Sequence, residues 1–330
     1  MKILITAPYS ATALEEVSKT VGQVIYKPWN KHGKAFSEAE LIAMLKESGA
    51  DALVIENDDV TEKIIESFPA LNFIGVCRGT PSNVALSAAT RAGIPVFFTP
   101  ARNAQAVAEM FIANIIVFLR NTVASINWLK QGQWIEGTHT PYLRFKGNEL
   151  AGKTVGMVGF GAIAQRIAEM LKSFPCFILY YDPYVELADT AYLSTTIEDI
   201  FERSDIVAIH LPSNSDTKGM IGSSLIAKMK SDAIFVNTAR ALVVNRADLL
   251  HALQTNKIRG AILDVFDHEP PDAIDDKLIN LPNVLATPHT GGATIEVEDH
   301  HAAIMNEAIK DWFVDKNRSG RLLANSEILS

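Results

Sequence analysis

The sequence predicts an α/β protein of two domains, each built on a parallel β-sheet with helices on both faces. Short apolar segments alternate with helical segments five times before residue 100, and a second alternating series runs from residue 154 to residue 286. A glycine-rich turn at residues 159–161 follows the first strand of the second series. Such alternation favours parallel pairing, because each crossover helix returns the chain to the same end of the sheet. A chain of 330 residues, 48% of them hydrophobic, can bury a core in each domain.

The first domain is predicted from five strands and the helices between them. The strands are expected at residues 3–6, 23–26, 52–55, 73–77 and 95–99, and the helices at residues 14–21, 38–45, 61–67 and 83–92. Ser37 is placed to cap the second helix, with Glu40 completing a capping box. Gly93 closes the fourth helix. These elements form a complete small α/β domain, and we expect a flavodoxin-like arrangement.

Pro100 ends this pattern, and the chain is then predicted to be helical from residue 104 to about residue 129. The following segment, residues 131–148, has no clear period and is predicted to be an extended loop. Its aromatic side chains, Trp134, Tyr142 and Phe145, either wrap over a neighbouring subunit or pin a surface loop to its own subunit. Both interpretations stay open.

The second domain is predicted to be a doubly wound Rossmann fold. Its six strands are expected at residues 154–158, 177–181, 206–210, 233–237, 260–265 and 284–286, with helices at 161–173, 197–202, 224–229 and 246–256. A long amphipathic helix, residues 294–314, follows the last strand and can cross back to the first domain. We therefore predict one discontinuous domain, residues 1–102 plus 290–330, and one continuous domain, residues 103–289.

The glycine-rich turn and the acid that follows it predict a dinucleotide site. Gly159 permits the tight turn, Gly161 lets the backbone approach a pyrophosphate, and Ala164 lets helix and strand pack closely. Asp182 ends the next strand, where a carboxylate accepts hydrogen bonds from a ribose and repels a 2′-phosphate. The alternative is a purely architectural turn, which is less favoured because strand, turn, helix and acid all occur in order. The implied cofactor is NAD rather than NADP.

Composition excludes several other classes of partner. The formal net charge is −8 and no basic run reaches five residues, which disfavours nucleic acid. Cys77 and Cys176 are the two cysteines, too few for a disulfide framework. The chain shows no signal-like or membrane-spanning apolar run, so we expect a cytoplasmic protein.

We expect no metal, because His300 and His301 are adjacent on a helix and point in different directions, and His268 is expected to face solvent.

Three chemically active side chains follow strands of the second domain. Ligands of open α/β sheets bind beyond the carboxyl ends of the strands. Arg240 offers a planar set of donors for a carboxylate and a neighbouring carbonyl. His289 can exchange a proton near neutral pH, and Glu269 can orient its ring and favour the charged form. Each alone is more often a solvated charge or a loop residue; together on the ligand edge they can reduce a keto acid.

Six motifs in order resemble those of the D-isomer-specific 2-hydroxyacid dehydrogenases, of the phosphoglycerate dehydrogenase-like kind, over essentially the whole chain. They are Gly159-Phe-Gly-Ala-Ile-Ala164, Tyr181-Asp-Pro183, His210-Leu-Pro212, Asn237-Thr-Ala-Arg240, Asp264-Val-Phe-Asp-His-Glu-Pro270 and Thr287-Pro-His-Thr-Gly-Gly292. The segments Thr99-Pro-Ala-Arg-Asn-Ala104 and Ala106-Val-Ala-Glu109 match the family's interdomain hinge.

The resemblance implies a split substrate-binding domain, a central NAD domain and a homodimer formed through the cofactor domains. It implies that Arg240 binds the substrate carboxylate, Glu269 charges the catalytic histidine and His289 is the acid/base. It places Asp264 against the nicotinamide carboxamide. The expected cofactor-binding residues are Gly159, Gly161, Ala162, Ile163, Asp182, Pro183, His210, Leu211, Pro212, Thr217, Thr238, Ala239, Arg240, Asp264, His289 and Gly291. The expected substrate-binding residues are Arg78, Gly79, Thr80, Arg102, Arg240 and His289.

The chain departs from the family pattern at three places. Residues 77–83, Cys-Arg-Gly-Thr-Pro-Ser-Asn, form a substrate loop about two residues shorter than usual, with Ser82 in place of an acid. Ala241 stands where a glycine commonly follows the catalytic arginine. Arg102 in the hinge either reads a second anionic group of the substrate or pairs with Glu109, and the pairing is slightly favoured.

The sequence therefore predicts an NAD-dependent D-2-hydroxyacid dehydrogenase. It would work as a 2-keto acid reductase or as an enzyme similar to phosphoglycerate dehydrogenase. One rival is an NAD(H)-sensing regulator or corepressor-like protein on the same fold, which would bind NADH without turnover. Another is a methyltransferase that uses a sulfonium cofactor, which would leave Arg240, Glu269 and His289 without a purpose.

Overall fold

The computed structural model describes residues 1–135, 137–185 and 191–329. The chain forms two compact units, one made of Met1–Asn103 and Thr294–Ser330 and the other of Ala104–Ala293. The C-terminal helix thus belongs to the unit that the first hundred residues form. The predicted limits differ from these bounds by at most four residues, 290 against 294.

The first unit contains a five-stranded parallel sheet. Its strands are β1 (Lys2–Ile5), β2 (Gln23–Tyr26), β3 (Ala52–Ile55), β4 (Ile74–Val76) and β5 (Val96–Phe98), in the order β2-β1-β3-β4-β5. This is the flavodoxin-like order, so the predicted fold of this unit is confirmed. Its helices are α1 (Ala11–Val21), α2 (Trp29–His32), α3 (Glu38–Ser48), α4 (Glu62–Ser67) and α5 (Leu86–Arg91), and the last helix of the chain joins them.

Both faces of this sheet are covered. Side chains of β1 alternate between two apolar clusters: Ile3 and Ile5 face the cluster shared with α1 and the C-terminal helix, and Leu4 faces the cluster shared with α3 and α4. The predicted capping box is present, since Ser37 Oγ accepts from Glu40 N and Glu40 accepts from Ser37 N at 2.7 Å.

The C-terminal tail pairs with the edge strand β5. Phe98 N donates to Leu322 O at 3.1 Å and Ala324 N donates to Val96 O at 2.8 Å. The buried Asn325 side chain continues this pairing, because its Oδ1 accepts from Val96 N and its Nδ2 donates to Ile94 O, both at 2.9 Å.

The second unit contains a seven-stranded parallel sheet. Its strands are β6 (Thr154–Val158), β7 (Phe177–Tyr181), β8 (Tyr192–Ser194), β9 (Ile206–Ile209), β10 (Ile234–Asn237), β11 (Gly260–Leu263) and β12 (Val284–Ala286), in the order β12-β11-β10-β9-β6-β7-β8. The strand order reverses between β6 and β9, as in a doubly wound dinucleotide-binding fold. All six predicted strands are present. The seventh, β8, is a short edge strand, and the predicted pattern missed it.

Helices surround this sheet. They are α6 (Ala104–Leu119), α7 (Thr122–Lys130), α8 (His139–Arg144), α9 (Ala162–Leu171), α10 (Ile197–Arg203), α11 (Ser223–Ile226), α12 (Arg246–Gln254) and α13 (Ala273–Ile279); α14 (Glu296–Phe313) is the helix of the first unit. Helix α13 was not predicted. Its N-terminus is fixed by a capping box between Asp272 and Asp275, a short acidic pair that apolar periodicity does not reveal.

Two predictions about residues 104–148 were wrong. The segment predicted to be helical almost without interruption is two helices, α6 and α7, bent by 63°, because Asn121 between them adopts a left-handed conformation with φ 52°. The predicted extended loop contains helix α8, in which Tyr142 and Leu143 are exposed. Glu136 of that loop lies outside the described residues.

Within the described ranges, no single helix is both long and apolar enough to span a membrane. Helices α6 and α7 reach that length only as the bent pair, by length and composition alone.

Candidate active site

The candidate residues of the second unit lie at the carboxyl edge of its sheet. Asp182 follows β7, His210 follows β9, Arg240 follows β10, Asp264 follows β11 and His289 follows β12. Because β10, β11 and β12 are neighbours, Arg240, the 264–269 segment and His289 come from three adjacent strand ends. This is the edge at which open α/β sheets bind ligands.

The glycine turn forms an open cradle at the start of α9. Gly159 has φ 89°, and a Cβ there would lie 2.9 Å from the backbone of His210, so no other residue fits without a shift. Gly161 caps α9, and a Cβ there would meet nothing within 4 Å. Ala162 and Ile163 form the first turn of that helix. The space in front of Gly161 is therefore available to an anion at a helix N-terminus.

Asp182 is tied to this turn. Its Oδ2 accepts from Phe160 N at 2.7 Å and its Oδ1 accepts from Tyr184 N at 2.9 Å, while Pro183 between them is exposed. The carboxylate keeps further lone pairs for ribose hydroxyls. Its position is thus set by the backbone of the same turn that would hold the phosphates.

Two buried polar atoms lack a partner at the neighbouring strand ends. His210 Nε2 and Thr238 Oγ1 are both inaccessible and have no hydrogen-bond partner. Burial lowers the pKa of His210 to about 4, so the ring is neutral at physiological pH. Its ring centroid lies 5.7 Å from that of Phe111. Unpaired buried groups of this kind are rare and costly, which is the expected state of a site that a polar ligand completes.

The segment after His210 is organised by its own side chains. Leu211 is buried and Pro212 is exposed. Thr217 Oγ1 donates to Pro212 O at 2.6 Å, and Thr217 N donates to Asn214 Oδ1 at 3.0 Å. Thr217 thus shapes the rim of the candidate groove. The glycine cradle, Asp182 and the unpaired atoms of His210 and Thr238 all fit a dinucleotide.

Glu269 and His289 form a pair. The Nδ1 atom of His289 lies 2.8 Å from Glu269 Oε2 and 3.0 Å from Oε1. A carboxylate only accepts, so Nδ1 carries the proton and Nε2 faces away from the pair. Both side chains are about half exposed, 49% for His289 and 44% for Glu269. The imidazole is therefore oriented but accessible.

Asp264 fixes the backbone on both sides of His289. Its Oδ1 accepts from Thr287 Oγ1 at 2.6 Å and from Thr290 N at 2.9 Å, and its Oδ2 accepts from Gly291 N at 2.8 Å. His289 itself has φ 53°, an uncommon conformation for a residue with a side chain. Asp264, which is 2% exposed, holds this loop. The sequence did not predict this structural role, and the contact with the nicotinamide that the resemblance implies stays a prediction.

Arg240 is exposed, with its side chain folded over its own turn. Its Nη1 donates to Ala239 O at 2.7 Å. Asn237 shapes the turn, because its Nδ2 donates to Arg240 O at 3.0 Å and its Oδ1 accepts from Ala239 N at 3.1 Å. The motif that contains Asn237 did not predict this role of its side chain.

The candidate substrate residues of the first unit lie at the carboxyl edge of the five-stranded sheet. Arg78 follows β4 and its carbonyl accepts from Thr99 N at 2.9 Å, while Gly79 and Thr80 are exposed. The expected pairing of Arg102 with Glu109 was wrong. Arg102 Nη1 instead pairs with Glu56 Oε1 at 2.6 Å, and Glu56 directly follows β3.

An acidic cluster surrounds Arg246 near the candidate site. His268, Asp272 and Asp275 offer ligand atoms close enough to share a cation. However, Arg246 Nη1 lies 2.8 Å from Asp272 Oδ1 and 3.1 Å from Asp275 Oδ1, so a guanidinium already pairs with both carboxylates. As expected, His268 is largely exposed, at 58%. The geometry is that of a salt-bridge network.

The profile described as D-isomer specific 2-hydroxyacid dehydrogenase, NAD binding domain, matches residues 112–291, the part of the chain that carries the glycine turn and the Glu269–His289 pair. The chain belongs to the D-isomer specific 2-hydroxyacid dehydrogenase family. The predicted family, enzyme class and cofactor are confirmed: this enzyme is an NAD-dependent oxidoreductase that acts on small hydroxy or keto acids.

Its curated relatives include two kinds of dehydrogenase. The enzyme is 53% identical over 329 residues to the "Putative 2-hydroxyacid dehydrogenase YoaD" of Bacillus subtilis (strain 168), covering 100% of this chain and 96% of that one. It is 35% identical over 315 residues to the D-3-phosphoglycerate dehydrogenase of Methanocaldococcus jannaschii, covering 94% of this chain but 57% of that protein.

A solved structure shows the same fold. D-2-hydroxyisocaproate dehydrogenase superimposes with a TM-score of 0.82 at 23% identity, covering 98% of this chain and 100% of that one. At this identity the likeness concerns the fold alone.

Proposed function

We propose that this enzyme reduces a 2-keto acid to the D-2-hydroxy acid, and catalyses the reverse oxidation, with Arg240, Glu269 and His289 as its catalytic residues. The observation that carries the proposal is the Glu269–His289 pair, with 2.8 Å between Oε2 and Nδ1. Glu269 follows β11, the strand beside β10 from which the Arg240 turn leaves, and His289 follows β12 on the other side of β11. An oriented imidazole and a guanidinium on one ligand edge suit a substrate with a carboxylate beside a carbonyl.

The dinucleotide would be held by the glycine turn, Asp182, and the residues that follow β9 and β10. When bound, its nicotinamide supplies or accepts the hydride. His289 handles the proton: with Nδ1 held by Glu269, Nε2 protonates the carbonyl oxygen of a keto acid or removes the hydroxyl proton of a hydroxy acid. Glu269 stabilises the imidazolium, and Arg240 binds the carboxylate so that the carbonyl is polarised and oriented.

Three loop residues of the first unit are also proposed to bind the substrate. Arg78, Gly79 and Thr80 follow β4 of the first unit, and exposed backbone amides in a loop of this kind are suited to bind a carboxylate. We propose these substrate-binding roles for the loop together with the cofactor-binding roles given above.

We further propose that the enzyme works as a homodimer in the cytoplasm. The cofactor unit exposes apolar side chains on and after α7 and on α8, including Leu129 at 55%, Ile135 at 86% and Leu143 at 70%. Exposed apolar surface of this kind marks association surfaces. Light scattering should give twice the chain mass, and Ile135→Asp should shift it towards the monomer.

The test of function is NADH oxidation with a panel of 2-keto acids, with NADPH in parallel. We expect turnover with NADH preferred. His289→Ala should lower kcat by about 10²–10⁴ because the general acid is lost. Arg240→Ala should lower kcat and raise KM. Exposed His251→Ala and Arg203→Ala are matched controls and should leave both constants unchanged.

The outcome also separates the enzyme from its rival. An NAD(H)-sensing regulator would bind NADH without turnover on any 2-keto acid, and His289→Ala would then have no kinetic effect. Turnover that survives both Arg240→Ala and His289→Ala would refute the assigned residues while leaving the enzyme class intact.

A further inference from the structure

The guanidinium of Arg102 is already neutralised within the first unit. Its Nη1 lies 2.6 Å from Glu56 Oε1, and both side chains are largely buried, with exposed fractions of 17% and 11%. The other oxygen of Glu56 accepts from Trp29 Nε1 at 2.9 Å. Both oxygens of the carboxylate are therefore engaged, and the pair has little freedom to separate.

A neutral histidine completes this cluster. His301 is fully buried, with Nδ1 2.9 Å from Arg102 Nη1 and Nε2 2.6 Å from Pro8 O. A guanidinium only donates and a carbonyl only accepts, so the ring must accept at Nδ1 and donate at Nε2. Only the neutral tautomer with its proton on Nε2 satisfies both contacts. The cluster of Arg102, Glu56 and His301 thus has no net charge.

Two further carboxyl groups lie close to Glu56 in the fold or in the chain. The pKa of Glu298 is raised, chiefly because burial disfavours its charged form and also because the charge of Glu56 is near. Asp58, two residues beyond Glu56, is fully buried and accepts from Phe36 N at 2.7 Å. Arg102 therefore offers a second anion no uncompensated positive charge.

This cluster borders the proposed substrate loop. Near the start of the loop, the carbonyl of Arg78 accepts from Thr99 N, and Thr99 lies three residues before Arg102. The loop ends at Asn83, whose Nδ2 donates to the backbone carbonyl of Glu56 at 3.0 Å. Both ends of the loop are therefore tied to the segments that carry Arg102 and Glu56.

We infer that the Arg102–Glu56–His301 cluster makes this enzyme select 2-keto acids whose tail beyond the carbonyl is uncharged, and discriminate against phosphorylated or dicarboxylic substrates. The inference rests on the proposed function. Arg102 uses one of its nitrogen atoms in the cluster contacts, and its remaining N–H groups can donate to a hydroxyl in the substrate tail. Glu56 sets this selectivity because it cancels the charge that would otherwise attract a second anion.

The first experiment compares two substrates that differ only in a phosphate. Reduction of hydroxypyruvate and of phosphohydroxypyruvate is measured with saturating NADH under identical ionic strength. We expect kcat/KM to favour hydroxypyruvate by at least about tenfold. A preference for phosphohydroxypyruvate overturns the inference but leaves the proposed function intact, whereas no turnover of any 2-keto acid overturns the proposed function and the inference with it. This comparison needs only the wild-type enzyme.

The second experiment changes the charge at constant shape. Glu56→Gln keeps a side-chain oxygen for Trp29 or Arg102 but removes the negative charge, so the ratio of kcat/KM for phosphohydroxypyruvate to that for hydroxypyruvate should rise about tenfold. The double variant Glu56→Gln/Arg102→Gln should lose this rise, because the exposed cation is then absent. Glu62→Gln, which removes a surface carboxylate paired with Arg91, is the matched control and should not move the ratio.

An unchanged ratio in Glu56→Gln, with native thermal stability, would show that Glu56 does not set the selectivity. A rise that persists in the double variant would show that Arg102 is not the cation responsible. Either result overturns the inference.

Discussion

Glu269 holds the Nδ1 atom of His289 against both of its carboxylate oxygens, at 2.8 and 3.0 Å. Glu269 follows β11 and His289 follows β12, so the sheet register brings together two residues that are 20 positions apart. The contact defines which nitrogen of the imidazole can exchange a proton with a ligand. It therefore links the order of the strands to the proposed chemistry.

Glu269→Gln should slow keto acid reduction at neutral pH. The amide cannot stabilise a charged imidazolium as a carboxylate does, and it can turn either group towards Nδ1, so the ring loses both charge support and orientation. We expect kcat to fall by about 10–10², a part of the usual contribution of about 10²–10⁴ from general acid–base catalysis. Steady-state kinetics measure this, and NADH affinity should stay the same. An unchanged kcat would contradict the role assigned to Glu269.

The two glycines of the turn should respond differently to alanine. Gly159→Ala should lower the melting temperature, because φ 89° is strained for alanine and its Cβ would lie 2.9 Å from backbone atoms of His210. Gly161→Ala should fold normally, since its Cβ meets nothing within 4 Å, yet should weaken NADH binding about tenfold, or about 1.4 kcal/mol, where the backbone must approach a phosphate. Calorimetry and NADH fluorescence titration separate the effects. Unchanged NADH affinity in Gly161→Ala would argue against this phosphate site.

Asp264→Ala should destabilise the enzyme and reduce its activity together. It leaves the buried N–H of Gly291 without its acceptor, at about 1–3 kcal/mol, and it also removes the acceptor of the partly buried N–H of Thr290. The loop that holds His289 in its left-handed conformation then loses its support. Urea denaturation should show that the free energy of unfolding falls by about 2–4 kcal/mol. The exposed Asp232→Ala should stay within about 0.5 kcal/mol of wild type; equal stability of the two variants would contradict the prediction.

His210 should make the stability of the unliganded enzyme depend on pH. Burial lowers its pKa to about 4, against about 6.5 in an unfolded chain. Between these values the unfolded chain binds a proton that the folded enzyme does not, so the stabilising contribution is complete above about pH 6.5 and is lost as the pH falls towards about 4. The contribution of His210 to the free energy of unfolding therefore changes by about 3 kcal/mol over this range of pH.

Wild type and His210→Gln are compared by urea denaturation at pH 7.5 and 4.5. Between pH 7.5 and 4.5 the free energy of unfolding should fall by about 2–3 kcal/mol more for the wild type than for the variant. The other buried histidine, His301, is common to both proteins. Parallel pH dependences would show that the imidazole of His210 is not kept neutral by the fold.

The fold and the chemically active residues could be predicted because each depends on local sequence. The strands of both sheets are short apolar runs between turns, and β6, β7 and β12 have the predicted bounds. Arg240, Glu269 and His289 could be named because the carboxyl ends of parallel strands share one edge, so position in the chain already indicates position on the sheet.

The remaining features depend on contacts between distant segments. The pairing of Arg102 with Glu56 joins residues 46 positions apart, and the contact of His301 with Pro8 joins residues 293 apart. Nothing in the local pattern of α14 distinguishes the buried His301 from the exposed His300 beside it. The break at Asn121 depends on a single backbone conformation, which a propensity summed over a long apolar segment does not resolve.

The side chain of Asn325 gives the edge strand β5 the two hydrogen bonds that another peptide unit would offer. Unpaired edge strands can recruit strands from other molecules and so begin aggregation. With the tail in place, β5 presents no vacant ladder along residues 94–98 to a neighbouring chain. The tail therefore protects the enzyme against intermolecular strand addition, and its removal or the loss of the Asn325 amide should lower solubility before it affects catalysis.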